Sequence, residues 1–257
     1  MTQLSKKFDF QNKNGETLSG RLELPDTQLV TIAIFAHCFT CSKNILAATR
    51  ISKSLSQLGI GVLRFDFTGL GNSEGDFANT NFSSNIDDLK AAYNAISSEY
   101  FPPQILIGHS LGGAAALKLS TEIDTLKAVV TIGAPSDTSH VSHLFDDNID
   151  VINRDGVADV NLAGRKFKIK KQFIDDIKNQ NLLEKLSKSK KAYLIMHSSS
   201  DDTVSIDHAA KIYQSLKHPK SFISLDKADH LVSNPKDAQY IANVIGAWVG
   251  AYVEPNK

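Results

Sequence analysis

Short apolar runs recur along the chain, each followed by a polar or glycine-rich stretch. Thr31 to Ala36, Gly61 to Phe65, Ile105 to Ile107, Lys127 to Ile132, Ala192 to His197 and Ser221 to Leu225 read as strands, with Ile105 to Ile107 and Ala192 to His197 reading as buried on both faces. Helix-forming stretches alternate with them, from about Asn44 to Leu58, Asn85 to Ser98, Gly113 to Leu119 and Lys236 to Val253. Such alternation predicts a mostly parallel sheet wrapped by helices, an α/β architecture. Before it, Lys7 to Gln11 and Thr17 to Leu24 flank Asn14-Gly15, a hairpin signal. The rhythm breaks between Ser136 and Lys190. That stretch is polar, holds a hairpin-like part from Val157 to Phe173 with Gly164 near its turn, and ends in a helical pattern from about Ile174 to Leu186. One domain over residues 1–257 is expected, with 136–190 as a small cap after the sixth strand, on the edge where substrate-selecting insertions fall. The bland reading of that stretch is a connecting helix with long loops.

The first candidate chemistry lies where one strand meets one helix. Ile105-Leu106-Ile107 runs into Gly108-His109-Ser110-Leu111-Gly112, and Gly113-Ala114-Ala115-Ala116-Leu117 follows. Glycine at both flanks lets strand and helix approach around a strained residue, whose side chain then stands above the sheet. Five residues of this kind also occur in ordinary tight turns. Strand before and helix after make Ser110 a candidate nucleophile.

A serine hydroxyl needs a base and an orienting acid. Behind such an elbow the chain order is serine, acid, histidine, each after a later strand. The loop after Ala192 to His197 carries Asp201 and Asp202. Asp201 is the stronger candidate because Asp202 stands closer to the next helix and could cap it; Asp137 is a third choice. After Ser221 to Leu225 comes Asp226-Lys227-Ala228-Asp229-His230, ahead of a helix signalled by Asn234-Pro235. His230 alone among the eight histidines has the right order and a strand before it. His37 and His197 end strands and are expected to hold loops through ring hydrogen bonds. His109 is pinned within the elbow, His208 falls on a helix, and His140 and His143 lie in the polar insertion.

Negative charge on a tetrahedral intermediate needs N–H donors. Leu111, next after the serine, should supply one. The other should come from the loop after Thr31 to Ala36, where Phe39 is the candidate and Cys38 and Thr40 are its alternates. Cys38 and Cys41 are the only cysteines, in Cys-x-x-Cys spacing. Two ligands are too few for a structural zinc, so loop shape is the expected role and a redox brake the sharper alternative.

These motifs together resemble the α/β-hydrolase superfamily: Gly108-His109-Ser110-Leu111-Gly112-Gly113, the acid loop Asp201-Asp202-Thr203-Val204, His230, and Asp66-Phe67-Thr68-Gly69-Leu70-Gly71-Asn72-Ser73. More narrowly, five segments resemble the serine hydrolase branch often fused ahead of an OsmC-like peroxidase domain. They are His37 to Lys43, Leu63 to Gly71, Asn81 to Asn85, Gly164 to Phe167 and Pro219 to Phe222. The likeness spans about residues 5 to 252. The sequence differs from the common superfamily pattern in placing Cys38 after His37, where glycine is usual, and no OsmC-like domain is expected within its 257 residues. The resemblance implies an α/β-hydrolase fold and an esterase that needs no cofactor or metal. Transfer to an alcohol, C–C bond hydrolysis, or a silent binding module on the same fold are its alternatives.

Bulk properties narrow the partners. Lysine and arginine number 28, aspartate and glutamate 28, so net charge gives no reason to expect nucleic acid. Hydrophobic residues make up 42% of the chain, enough for a large core. No apolar run approaches the ~20 residues of a membrane span. The start, Met1 to Lys7, has no apolar segment after its charges, so a cytoplasmic location is expected. The expected partner is a small acyl ester, with a second copy of the chain or a separate OsmC-like protein as further candidates.

Overall fold

A computed structural model describes residues 4–162 and 164–255. Twelve strands and seven α-helices are formed among the described residues. In chain order they are β1 (Leu4–Lys7), β2 (Phe10–Gln11), β3 (Thr17–Leu18), β4 (Gly20–Leu24), β5 (Thr31–Ala36), α1 (Leu46–Gln57), β6 (Ile60–Phe65), α2 (Phe82–Glu99), β7 (Ile105–His109) and α3 (Leu111–Ser120). After these come β8 (Ala128–Ile132), α4 (Ile149–Asp155), β9 (Val157–Leu162), β10 (Arg165–Lys170), α5 (Lys171–Lys178), β11 (Ala192–His197), α6 (Ile206–Ser215), β12 (Lys220–Ser224) and α7 (Pro235–Val249). Eight strands make one sheet in the order β1-β4-β6-β5-β7-β8-β11-β12. The pairs β1–β4 and β4–β6 are antiparallel, and the remaining pairs are parallel. The α/β sheet expected from the apolar runs is the sheet observed.

Period-2 alternation sorts the strand side chains onto two faces. Ala33, Phe35, Val62, Ile105, Ile107, Val130 and Met196 pack under α1 and α7. Ile32, Ile34, Leu63, Phe65, Leu106, Val129 and Ile195 face the opposite layer, with α2, α3 and residues of the segment between β8 and β11. Both layers are closed, which is why these strands read as unbroken apolar runs.

Several boundaries differ from the sequence expectation for identifiable reasons. Helix α2 starts at Phe82, three residues before the expected start, because Asn81 and Ser84 form a capping box. The hairpin around Asn14-Gly15 is present, with Phe10 opposite Leu18 and Gln11 opposite Thr17. Its strands are each broken in two near Asp9 and Ser19, where the Gly20 N–H donates to the Asp9 carboxylate. In the insertion, β9 and β10 pair around Gly164 as expected. The helix expected from Ile174 to Leu186 is instead α5, ending at Lys178; Leu182 and Leu186 are buried from turns beyond it. A 3-10 segment, Thr138–Asn148, and α4 were not anticipated.

Below the carboxyl end of β6 lies a buried charge network. Asp66 is fully buried and accepts from the Lys43 N–H at 2.6 Å, the Lys43 Nζ at 2.5 Å and the Asn72 N–H at 2.9 Å. Gly71, at φ 55°, passes so close that a Cβ there would lie 2.2 Å from an Asp66 oxygen. Arg64 donates to the Lys43 carbonyl at 2.6 Å and pairs with buried Glu23 at 2.6 Å. Removing one member of such a set leaves an uncompensated charge in the interior. Asp66→Asn is therefore expected to lower the unfolding free energy by about 3–5 kcal/mol, read from urea denaturation.

Candidate active site

Ser110 sits between β7 and α3 at φ 53° and ψ −127°, a conformation that L residues with side chains rarely adopt. Its N–H is held by the Ile132 carbonyl at 2.9 Å, tying the elbow to β8. Close approach makes the turn: a Cβ on Gly108 would lie 2.2 Å from the Gly112 carbonyl oxygen, and one on Gly112 would lie 2.3 Å from that of Ala36. Ser110 Oγ lies 3.0 Å from His230 Nε2, and His230 Nδ1 lies 2.8 Å from Asp201 Oδ2. The three side chains predicted from chain order are thus brought into one hydrogen-bonded line.

Asp201 is almost fully buried, and burial alone would favour its neutral form. Hydrogen bonds from His230 and from the N–H groups of Val204 and Thr203 outweigh that, and hold its carboxyl below the usual range. The charged carboxylate then fixes His230 with Nδ1 as the donor, which leaves Nε2 free to accept from the serine. Asp202 accepts only from the Thr203 hydroxyl at 3.2 Å, and the Asp137 carboxylate caps the following 3-10 segment through the Ser139 N–H. Neither reaches His230.

Three other histidines hold this arrangement from behind. His37 donates through Nδ1 to the Cys38 carbonyl at 2.8 Å, and His197 through Nε2 to that of Val204 at 2.7 Å. These are the loop-holding roles expected of both. His109 was expected only to be pinned in the elbow; its Nε2 also donates to the His230 carbonyl at 2.7 Å. Burial pushes His37 and His109 down to about 4, so both are neutral donors at neutral pH. Sequence reasoning also missed Gly133. At φ 57°, it lies where a Cβ would come within 3.2 Å of Asp201 Oδ2 and 3.4 Å of His230 Nδ1. Its only sequence signal is its place at the end of a buried strand.

The loop after β5 lies beside the elbow. Cys38 and Cys41 are joined by a disulfide across Phe39 and Thr40, and Thr40 takes φ 57°. Such a bridge in the cytoplasm would have to persist against cellular thiol reductants. It coexists with the assembled Ser110–His230–Asp201 line, so oxidation does not act by pulling that line apart. Among the described residues, neither the Phe39 N–H nor the Leu111 N–H donates to a protein acceptor. Both residues line one small cavity under the elbow. A larger cavity of about 640 Å³ opens above it, lined by Ser110, His230, Phe39, Leu46, Leu144 and Leu231 among others. Phe145 and Phe173 of the insertion lie buried in the core, with the Phe173 ring centre 5.3 Å from that of Phe39. Among the described residues no group of side chains forms a metal site, and no helix is long and apolar enough to cross a membrane.

The fold and this line of three side chains define a hydrolase class, and comparison with known proteins agrees. Residues 32–145 match the family model described as serine aminopeptidase, S33. The esterase domain of a Rhodothermus marinus protein is 47% identical, with 97% of this chain and 99% of that chain covered and a TM-score of 0.79. Est1E from Butyrivibrio proteoclasticus, solved with ferulic acid bound, is 18% identical over 96% of this chain and 98% of that one, TM-score 0.82. A mouse α/β hydrolase domain-containing protein 10 is 20% identical over 96% and 99%, TM-score 0.76, a likeness of fold. No curated protein sequence matches the chain. The chain belongs to the α/β-hydrolase superfamily, with esterases among its structural neighbours.

Burial of the two neutral histidines has a measurable consequence. A histidine whose folded pKa is depressed contributes stability that is present above its unfolded value and lost as pH falls through the folded one. His37 and His109 therefore weaken the fold between pH 6.5 and about 4. Asp88, raised to about 6 by burial, opposes them, since its contribution is lost as pH rises through that value. Each group shifts by roughly 2–3 pH units, worth on the order of 3 kcal/mol, so a net loss of that order is expected across the window. Urea midpoints should fall from pH 6.5 to 4, and more steeply in Asp88→Asn; a wild-type midpoint flat over the window contradicts this assignment.

Proposed function

We propose that the protein is a serine carboxylesterase acting through an acyl-enzyme. The observation that carries this reading is the line Ser110 Oγ–His230 Nε2–Asp201 Oδ2, on a strained elbow opening into a cavity of about 640 Å³. Ser110 Oγ attacks the ester carbonyl carbon while its proton passes to His230 Nε2. The Phe39 and Leu111 N–H groups receive the oxyanion of the tetrahedral intermediate. As the intermediate collapses, the bond to the alcohol oxygen breaks and His230 returns its proton to that oxygen. Water then adds to the acyl carbon, again losing a proton to His230; as that intermediate collapses the bond to Ser110 Oγ breaks, His230 returns the proton to Oγ, and the acid leaves. Asp201 stays ionised throughout and stabilises the imidazolium. The polar segment between β8 and β11 serves as a cap, since Leu144, Asn161, Leu162 and Arg165 from it line the cavity over Ser110.

An ester suits this cavity better than the free amino terminus of a peptide. Recognition of an α-ammonium group calls for a carboxylate in the substrate cavity. No aspartate or glutamate is among the described residues lining this one, and Asp201 is committed to His230. The 47% identity to an esterase domain supports the same choice.

A fluorophosphonate probe is expected to label the wild-type protein and to leave Ser110→Ala unlabelled. Aryl-ester turnover should fall by about 10⁴-fold or more in Ser110→Ala. A well-folded wild type that takes up no label, or a Ser110→Ala variant of undiminished rate, overturns the reading. The disulfide makes a second expectation. Opening the Cys38–Cys41 bridge with a phosphine frees the loop carrying Phe39, so kcat/KM on an aryl ester should drop about tenfold, equivalent to about 1.4 kcal/mol of oxyanion stabilisation. A Cys38→Ser/Cys41→Ser variant should start at the reduced rate and ignore the reductant.

A further inference from the structure

The β9–β10 hairpin brings one charged side chain to the cavity over Ser110. Arg165, the first residue of β10 after the turn at Gly164, lines that cavity and donates through a guanidinium nitrogen to the Thr40 carbonyl. Its guanidinium carbon lies 5.1 Å from the centre of the Phe167 ring. The Phe167 ring and the Thr40 carbonyl both engage the group. A guanidinium has five N–H donors in a rigid fork, and one bond to a carbonyl leaves most of them for another acceptor.

Nothing among the described residues pairs with this charge: no carboxylate of theirs lies within ion-pair distance of Arg165. The rest of the described lining carries no aspartate, glutamate or lysine, and is mainly apolar or uncharged. The cavity thus combines apolar walls, the Ser110 nucleophile and one fixed, unpaired cation. Arg165 is solvent-exposed as a residue, yet one of its guanidinium nitrogens reaches the loop next to Phe39 and its side chain lines the cavity.

We propose that Arg165 is a specificity determinant that selects esters carrying a free carboxylate, which it binds bidentately while Ser110 reaches the ester carbonyl. The proposal rests on the esterase reading of Ser110 and names its substrate class. It also explains why the hairpin tip and the Phe39 loop share a hydrogen bond. A carboxylate seated on the guanidinium would be registered against the oxyanion donors through Thr40, one residue from Phe39.

Two families of substrate test it. In 4-nitrophenyl half-esters of dicarboxylic acids of increasing length, the charge lies on the acyl side; in acyl esters of hydroxybenzoic acids, it lies on the alcohol side. Each is compared with its uncharged carboxamide in wild type, Arg165→Gln and Arg165→Lys. The expected result is a preference of about tenfold or more in kcat/KM for the carboxylate member of at least one family. That preference should be carried by KM, fall toward one in Arg165→Gln, and be partly restored in Arg165→Lys, which keeps the charge but not the fork. A wild-type ratio near one in both families overturns the proposal, whatever the variants do. So does a wild-type preference that Arg165→Gln retains. Failure of wild type to cleave either member would instead count against Ser110 as an esterase nucleophile, so the two readings fail separately.

Discussion

No room exists for a side chain where the elbow crosses the end of β5. A Cβ on Gly112 would meet the carbonyl oxygens of both Ala36 and His37, at 2.3 and 2.5 Å, and one on Gly113 would lie 2.5 Å from the Ala134 Cβ. This bare backbone contact sets the spacing between Ser110 and the loop that follows β5. With the spacing fixed, Phe39 and Leu111 line one cavity, and Ser110 is held in its strained conformation. Moving any of the three apart would need β5 or β7 to shift within a sheet buried on both faces, where packing resists small displacements.

The loop after β5 must then be held at its other end, and buried charge does this. Asp66 takes the Lys43 N–H and ammonium, and Arg64 takes the Lys43 carbonyl. A buried ion pair replaced by apolar groups often costs a fold nothing, so such pairs are poor sources of net stability. Directionality is what these contribute. Hydrogen bonds to three backbone or side-chain atoms of Lys43 specify one path for the chain, which apolar packing does not.

Legibility in the sequence followed the kind of signal each feature leaves. Strands with both faces covered announce themselves as apolar runs, and the order of Ser110, Asp201 and His230 along the chain reports their common sheet edge. Period alone misleads where buried residues come from turns. Leu182 and Leu186 continue the apolar pattern of Phe173, Ile174 and Ile177, and so extend the expected helix past Lys178, where α5 ends. The 3-10 segment and α4 are anchored by few buried side chains, Phe145 and Ile152 among them, too sparse to show a period. Gly133 and the His109–His230 contact leave no periodic trace. Both arise from backbone brought together across strands distant in sequence.

Strain is distributed in the same economical way. Four residues other than glycine take positive φ among the described ones, namely Thr40, Ser110, Asp226 and Val232. All four lie on loops that carry or flank the proposed catalytic groups, and the β-branched Thr40 and Val232 are the least suited to that conformation. Each costs on the order of 1–3 kcal/mol and persists only when neighbours over-determine it. The neighbours are identifiable. Arg165 and the disulfide hold Thr40, the Ile132 carbonyl holds Ser110, the Ser198 hydroxyl holds the Asp226 carbonyl, and the Asp229 carbonyl holds Val232. Asp226 and Val232 lie four residues before and two after His230, so the chain is constrained on both sides of the proposed base. A relaxed loop would leave the imidazole free to turn away from Ser110. Fixing it from both sides, with the His109 donor on its carbonyl, spends folding stability on the geometry that the proposed reaction needs.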